Sequence, residues 1–359
     1  MTPLKSLAEF SLADLEAVRL VLRGDSVIDW HRLDFANLAE VDAFLRANEL
    51  DPAVDEDLAR MDYVKGEAIG YLRRQFHYPV PKPVEDATVR ELLLLASTQG
   101  HRQACACTIL KAMHVIHHLE GRELVFVLPF SDQEVFRLVE ERVFRIVGQM
   151  LAQGLPIVES VGGRKNRDPL FTKLLSKQDT IAAAVYDKLR FRIVTRTHAD
   201  LLPVLEFLTK ELFPFNYVVP GQSTNNIVPF RETCEAHPHL APMLAHMQVG
   251  PIDDVDNDDN KFTSSAYRIV HFVVDMPVRL SRELLEAATE RVGHLGRVGF
   301  VICEFQLVDQ ATDHANEVGE ASHEAYKGRQ KKAVMRRLHL GDREDRVSGH
   351  RIAAARRGR

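Results

Sequence analysis

The stretch "EFQLVDQATDHANEVGEASHEAYKGRQ", residues 304–330, brings acid, amide and imidazole side chains together at short spacings. It begins as a β-strand, in which a period of two places Glu304 and Gln306 on one face and Cys303 and Phe305 on the other. A carboxylate and an amide in mid-strand are costly if they are buried without partners. Two interpretations therefore stay open: a half-solvated sheet face, or a strand whose polar face forms the floor of an active site.

The order of these residues resembles the synthetase domain of RelA/SpoT proteins, the alarmone synthetases. The signature of that family runs v-E-x-Q-I-R-T, then A-E-x-G, then A-A-H-W-x-Y-K. In this sequence the matching positions, in the same order and without a gap, are Glu304, Gln306, Glu317, Gly319, His323, Tyr326 and Lys327. Three upstream stretches resemble further family elements: "VESVGGRKNRDPLFTK", "DKLRFRIV" and "AYRIVHFVVD". The resemblance covers roughly residues 131–332.

The resemblance implies a transferase that moves the β,γ-pyrophosphate of ATP onto the 3′-hydroxyl of GDP or GTP, giving the stringent-response nucleotide (p)ppGpp. Transfer of this kind depends mostly on positioning and electrostatics, so Lys and Arg clamps and carboxylates are expected. Magnesium takes one or two carboxylates together with phosphate oxygens. The implied substrates are therefore ATP and a guanine nucleotide, and the implied cofactor is Mg²⁺.

Carried over position by position, the resemblance assigns a role to each matching residue. The catalytic and metal-binding pair would be Asp187 and Glu304, with Glu304 as second ligand or as the base on the acceptor hydroxyl. The donor phosphates would be held by Arg164, Lys165, Lys173 and Arg192. The acceptor would be bound by Tyr267, His271, Gln306 and Lys261. A structural or phosphate-orienting role falls to Glu317, His323 and Lys327. Taken singly, each residue also has an ordinary structural interpretation.

Several positions depart from the family pattern. Val308 replaces an arginine, Arg190 replaces a glycine, and Ser265-Ala266 stands where the family has Asn-Gly. Most departures fall where nucleotide phosphates or the guanine base would be held. Two alternatives therefore stay open. The first is the same chemistry on an adenine nucleotide or on the 3′ end of tRNA, as in toxin-like relatives. The second is a catalytically inactive regulator that binds nucleotide or RNA.

The elements around these residues indicate an α+β protein, a mixed β-sheet with flanking helices behind an all-helical N-terminal region. Ser11 and Gly24 are typical of the start and end of the first helix. We expect a helical region over 1–121, ending at Gly121 and followed by the β-forming run "ELVFVLPF". A synthetase-like domain over 122–338 would follow, with an acidic insertion at about 230–262 and a final helix over about 310–338 capped by Asp309. The Arg-rich tail covers 339–359.

The composition excludes few partners but favours some. The net charge of −5 over 359 residues gives no global electrostatic reason to bind nucleic acid or membrane. The Arg-rich tail is a candidate for RNA contact, although a solvated terminus is the simpler interpretation. No stretch approaches the roughly 18 apolar residues of a membrane span. With four scattered cysteines and no signal-peptide pattern at the N-terminus, we expect a cytoplasmic protein. Homo-oligomers occur in the family and are a further expectation.

Overall fold

The structure is a computed structural model that describes residues 3–26, 28, 33–128, 131–164, 167–176, 189–247, 266–286, 294–319 and 322–340. Its N-terminal part is helical, with α1 (Leu12–Arg23), α2 (Leu38–Ala47), α3 (Asp55–Phe76), α4 (Lys82–Glu85), α5 (Val89–Ala96), α6 (His101–Val127) and α7 (Asp132–Ala152). The expected caps of α1 are confirmed: the Ser11 side chain accepts a hydrogen bond from the Asp14 backbone, and Gly24 ends the helix at a φ of 66°.

The rest of the described chain forms a five-stranded sheet and its helices. The strands are β1 (Ile157–Arg164), β2 (Leu189–Thr195), β3 (Thr224–Asn225), β4 (Val270–Arg279) and β5 (Val298–Asp309). The helices are α8 (Arg167–Ser176), α9 (Leu201–Glu211), α10 (Phe230–Ala236), α11 (Ala241–Leu244), α12 (Arg282–Glu286), α13 (Gln310–Asn316) and α14 (His323–Arg337). The strand order is β1-β2-β5-β4-β3. β2 and β5 are parallel and the other neighbours antiparallel, which confirms the predicted mixed sheet and α+β class.

One face of the sheet is a layer of phenylalanine rings. Phe305 of β5 stacks on Phe191 of β2 and on Phe272 of β4, with ring centroids 5.5 and 5.6 Å apart. Phe213, which follows α9, packs its ring 5.1 Å from that of Phe305. Because the alternation of β5 directs Phe305 into this layer, Glu304 and Gln306 are directed to the opposite face. Truncating Phe305 to alanine would cost about 3–5 kcal/mol, so the apolar layer fixes the register of the polar one.

Helix α6 packs on the opposite face and corrects two expectations. It does not end at Gly121, and the run "ELVFVLPF" is helical as far as Val127 rather than extended. A Cβ at Gly121 would lie 2.4 Å from the Phe300 ring and 2.6 Å from the Val298 carbonyl oxygen. The glycine therefore serves close helix–sheet packing rather than helix termination. The domain boundary expected after residue 121 falls inside α6, and the predicted domain bounds stay a prediction.

The last predicted helix is two helices. Asp309 caps the first, as expected, because its Oδ1 accepts hydrogen bonds from the backbone of Ala311 and Thr312. Helix α13 ends at Asn316, Gly319 then takes a left-handed φ of 66°, and Ser322 caps the start of α14. A left-handed glycine followed by a new N-cap explains why the prediction of a single helix over 310–338 is wrong.

Parts of three predictions lie outside the described residues. The expected acidic insertion contains α10 and α11, and residues 248–262 of it are outside the described part. The same holds for 341–359 of the Arg-rich tail, and with it for the expected RNA contact. Among the described helices, none combines the length and the apolar character that crossing a membrane requires.

Candidate active site

The polar face of β5 lies at the centre of the sheet, where β2 and β4 flank it. In the parallel register Arg190 of β2 is opposite Glu304, and Arg192 is opposite Gln306. In the antiparallel register His271 of β4 is opposite Gln306 from the other side. Residues paired across strands direct their side chains to the same face. Five polar side chains therefore gather there, and we call them the Glu304 cluster: Arg190, Arg192, His271, Glu304 and Gln306.

Glu304 is the centre of this cluster and is only 3% exposed. Its Oε1 accepts from Arg190 Nη2 at 2.9 Å and from Gln306 Nε2 at 2.9 Å. The Nε2 atom of His271 lies 3.3 Å from the same oxygen. A buried carboxylate without partners would be strongly destabilising, and here an ion pair and a charge-assisted hydrogen bond offset that cost. The polar face of β5 is therefore not a half-solvated surface, because its acid is buried and partnered.

Arg192 and Tyr267 form the rim of the cluster on the side of α13. The Arg192 guanidinium makes an ion pair with Oδ1 of Asp313 on that helix. Burial raises the pKa of the Tyr267 phenol, and the nearby charges of Arg192 and Arg190 oppose that rise. Tyr267 therefore stays a neutral phenol whose hydroxyl lies beside two guanidinium groups. In such an arrangement the aromatic ring can stack on a nucleotide base while the guanidinium groups bind its phosphates.

Other residues that the sequence assigned to substrate lie elsewhere or are not described. Arg164 at the end of β1 pairs with Glu140 of α7 at 3.3 Å, and Lys173 lies on α8. Glu317 is the C-cap of α13, and Lys327 is exposed on α14, whose first residue is His323. Outside the described residues lie Asp187, Lys165 and Lys261. The roles proposed for all of these residues stay predictions.

Two members of the site were missed by sequence reasoning. Arg190 was expected in a strand that alternates arginines with apolar residues and was given no role in the site, yet it is an ion-pair partner of Glu304. The signal was present in "LRFR", where two arginines alternate with apolar residues and so share the polar face. Asp313, the partner of Arg192, carries no such signal, because the contact joins two segments 121 residues apart.

The described residues do not fit a Mg²⁺ ion held by the protein alone. The expected partner ligand, Asp187, is outside the described part. Oε1 of Glu304 already receives two hydrogen bonds, one from a guanidinium, and a close contact from His271. Within the described residues, no group of three or more His, Cys, Asp or Glu side chains could hold a metal ion. Because Mg²⁺ is repelled by a guanidinium beside its ligand, it enters below only as part of the substrate Mg·ATP.

Comparisons with known proteins point to one group of structures. No protein-family model matches the chain, and no curated protein matches it. The likeness is to small alarmone synthetases. Small alarmone synthetase 2 from Bacillus subtilis is 16% identical, with 60% of this chain and 95% of that chain covered and a TM-score of 0.28. Small alarmone synthetase 1 from the same organism, bound to its product pppGpp, is 15% identical over 65% of this chain and 94% of that chain, with a TM-score of 0.29.

A third matched structure is a GTP pyrophosphokinase family protein from Streptococcus pneumoniae. It is 16% identical over 61% of this chain and 91% of that chain, with a TM-score of 0.30. These proteins bear the names of the family that the sequence signature resembles. TM-scores this low carry no argument about substrate or activity, so the proposal that follows rests on the residues of the site.

Proposed function

We propose that the Glu304 cluster and Tyr267 bind Mg·ATP and a second nucleotide, and that the protein transfers pyrophosphate from ATP to a 3′-hydroxyl of GDP or GTP. The observation that carries the proposal is the buried carboxylate of Glu304, held at the centre of the sheet between an arginine and a histidine, with a second arginine beside them. Phosphoryl-type transfer needs a carboxylate near the nucleophile and cations around the transferred group, and an aromatic ring can hold a nucleotide base. The sequence signature around Glu304 supports the same assignment.

In the proposed reaction the acceptor 3′-oxygen attacks the β-phosphorus of ATP. The bond from that phosphorus to the α,β-bridging oxygen breaks, and AMP leaves with the electron pair. Glu304 accepts a hydrogen bond from the attacking hydroxyl and takes its proton as the new bond forms. Arg192 and Arg190 stabilise the charge on the transferred group, and Tyr267 stacks on a nucleotide base. The ion pair with Arg190 orients Glu304 before the reaction.

The test is a transfer assay with labelled Mg·ATP and a panel of acceptors: GDP, GTP, adenine nucleotides and tRNA. Mass spectrometry of the products identifies the acceptor. We expect label in guanosine tetra- or pentaphosphate, and a loss of about 100-fold or more in Glu304→Gln, since a positioned general base contributes that much. Label in adenine nucleotides or at the tRNA 3′ end would replace the acceptor and keep the chemistry. No transfer to any acceptor, or equal rates in Glu304→Gln and wild type, would contradict the proposal.

One observation favours a second candidate, a nucleotide-binding regulator without turnover. Arg190 occupies Glu304 through a 2.9 Å ion pair, where the family pattern has a glycine. A carboxylate held by a guanidinium is a weaker base, so the site could bind nucleotide without catalysing transfer. Tight binding of Mg·ATP in calorimetry, together with no detectable transfer to any acceptor, would favour this candidate over the enzyme.

A further inference from the structure

A cavity of about 100 Å³ lies among the N-terminal helices, away from the Glu304 cluster. Its walls come from α2, α3, α5, α6 and the short 3₁₀ helix Phe215–Tyr217. Most of the lining is apolar, as with Met61, Leu93 and Leu110. We call it the N-terminal cavity. A cavity holds one water molecule once it offers about 10–15 Å³, and a dry apolar cavity of about 150 Å³ binds benzene. The N-terminal cavity therefore offers space for several water molecules and is somewhat smaller than the cavity that binds benzene, so its occupant is no larger than a small aromatic molecule.

Polar side chains also line the N-terminal cavity. Asn216 donates from Nδ2 to Asn48 Oδ1 at 3.3 Å and lies 3.3 Å from His114 Nδ1. That leaves Asn216 Oδ1 buried with no hydrogen-bond partner among the described residues. The same is true of Nε2 of His117, which is only 7% exposed. Nε of Arg60, which also lines the cavity, is a third such atom. Buried polar atoms in folded proteins are nearly always paired, so three unpaired atoms on one cavity indicate that something else supplies their partners.

Arg60 and Lys111 are the charged side chains that line the N-terminal cavity, and Arg60 is compensated within the protein. Arg60 pairs with Glu120 at 2.6 Å and donates to the His294 carbonyl oxygen at 2.6 Å. Burial, together with the neighbouring charge of His118, lowers the pKa of His114 to about 3. Burial, together with the charge of Arg60, lowers the pKa of His117 to about 3. Both imidazoles are therefore neutral near neutral pH, and an ionic ligand would find no counter-charge on them.

We propose that the N-terminal cavity binds a small, neutral, mainly apolar molecule that carries one hydrogen-bonding group, such as a hydroxyl or an amide. Its apolar part packs against the helices, and its polar group pairs with Asn216 Oδ1 and His117 Nε2. A purely apolar molecule would leave both atoms unpaired, a cation would be desolvated beside Arg60 and Lys111, and an anion would compete with Glu120 for Arg60. The proposal stands independently of the reaction proposed for the Glu304 cluster.

The site borders the helix that covers the sheet. The His117 ring packs edge-on against Phe300 of β5, with centroids 5.6 Å apart, and β5 also carries Glu304. An occupant of the N-terminal cavity therefore contacts the same side chain of α6 that packs on the central strand.

Phenol and benzene are matched probes, because they differ by one hydroxyl. Each is titrated into the full-length protein, with binding followed by calorimetry and by the rise in Tm. We expect phenol to bind saturably and about two- to tenfold more tightly than benzene, which is the worth of one hydrogen bond. Asn216→Leu should remove that preference. Absence of phenol binding in wild type would overturn the proposal and leave water as the occupant. Equal binding of the two probes would overturn the role of the polar atoms.

A cavity-filling variant locates the binding. Leu110→Phe on α6 adds a ring to the wall and should abolish phenol binding. Its matched control is Leu119→Phe on the same helix, where the side chain is 68% exposed. The control should bind like wild type. If circular dichroism shows that Leu110→Phe does not fold, Leu93→Phe on α5 makes the same test from the opposite wall. Phenol binding that survives in a folded cavity-filling variant would place the probe elsewhere and overturn the assignment.

Discussion

Two buried acids on the same face of the sheet differ in where their partners come from. Asp275 of β4 is paired with Ile302 in the register, and Glu304 lies two residues further along β5. Asp275 is 4% exposed and contacts His118 Nε2 at 2.7 Å and Arg122 Nη1 at 3.3 Å, both from α6. The arginine, glutamine and histidine that contact Glu304 lie on the strands themselves. Asp275 therefore fastens a helix to the sheet, whereas Glu304 belongs to a polar row shared by three neighbouring strands.

The two acids differ in the packing around them but not in the exposure of their partners. Beside Asp275, the rings of His118 and Tyr217 each lie 4.7 Å from the ring of Phe300, which closes the space under α6. Burial, together with the charge of Asp275, raises the pKa of the Tyr217 phenol. Beside Glu304, Arg190 and His271 are 32% and 29% exposed, which is close to the 32% of His118 and less than the 47% of Arg122. In this fold, an acid that joins a packed helix to the sheet has a structural role, and one whose partners lie on the neighbouring strands is the better candidate for chemistry.

The largest expected effect separates the two acids by activity. Glu304→Gln should lose about 100-fold or more in pyrophosphate transfer, because the amide cannot take the proton of the acceptor hydroxyl. Asp275→Asn, the isosteric change at the structural acid, should stay within about twofold of wild type. Initial rates of AMP release and of product formation measure both. Equal losses in the two variants would mean that the sheet face works as one structural unit.

Arg190→Gly sharpens the comparison by removing the ion pair on Glu304. If Arg190 stabilises the transferred group, transfer should fall by between about tenfold and 100-fold, with circular dichroism unchanged. The measurement is the single-turnover rate at saturating Mg·ATP. The matched control is Arg122→Gly, which loosens the contact with Asp275 instead and should retain activity. A rate that rises in Arg190→Gly would show that the arginine silences Glu304 and would favour the regulator.

Substitution of Asp275 should reduce stability more than substitution of Glu304, the reverse of the order expected for activity. Asp275→Ala leaves His118 and Arg122 without their acceptor and frees α6 from the sheet, so we expect the free energy of unfolding to fall by about 2 kcal/mol. Glu304→Gln keeps an acceptor for Arg190 and should cost less than about 1 kcal/mol. Urea unfolding at pH 7 measures both. A smaller loss in Asp275→Ala than in Glu304→Gln would contradict the structural role of Asp275.

A second pair of acids, Asp14 and Glu206, extends the comparison to a site with lysines instead of arginines. The carboxylate of Asp14 of α1 lies 2.6 Å from Lys5 Nζ and 3.1 Å from Lys210 Nζ. It is also a hydrogen-bonded neighbour of Glu206 of α9. Burial, together with the charge of Asp14, raises the pKa of Glu206 to about 7. Between the ordinary value near 4.5 and about 7, the folded chain holds a proton that the unfolded chain has released.

The unfolding free energy should therefore decrease as pH rises through that window, by roughly 2–3 kcal/mol. Glu206→Gln keeps the neutral hydrogen-bonded form at every pH and should flatten the curve. Denaturant unfolding at pH 5 and at pH 7.5 in both proteins measures the effect. The window is taken from the pKa of Glu206, and Glu283→Gln, an exposed acid on α12, serves as the control. A wild-type stability that rises between the two pH values would contradict a proton held by Glu206 in the folded chain.

Features that depend on local pattern were predictable from the sequence, and features that depend on register were not. Alternation placed Glu304 and Gln306 on one face of a strand, and Asp309 was identified as a cap from its position before a helix. The ion pair between Arg190 and Glu304 could not be predicted, because it requires the parallel pairing of β2 with β5. Gly121 was interpreted as a helix stop, although it marks a close approach to the sheet. Local sequence specifies the face, and only the folded sheet specifies the neighbour.

Calorimetric titration of Mg·ATP tests most directly whether the Glu304 cluster binds nucleotide, in wild type, Arg192→Gln and Asp275→Asn. Both candidate functions need that binding. We predict equal affinity in wild type and Asp275→Asn, and affinity weaker by about tenfold or more in Arg192→Gln, since a charge-assisted contact to phosphate is lost. Unchanged affinity in Arg192→Gln, or no binding by wild type, would contradict the nucleotide site.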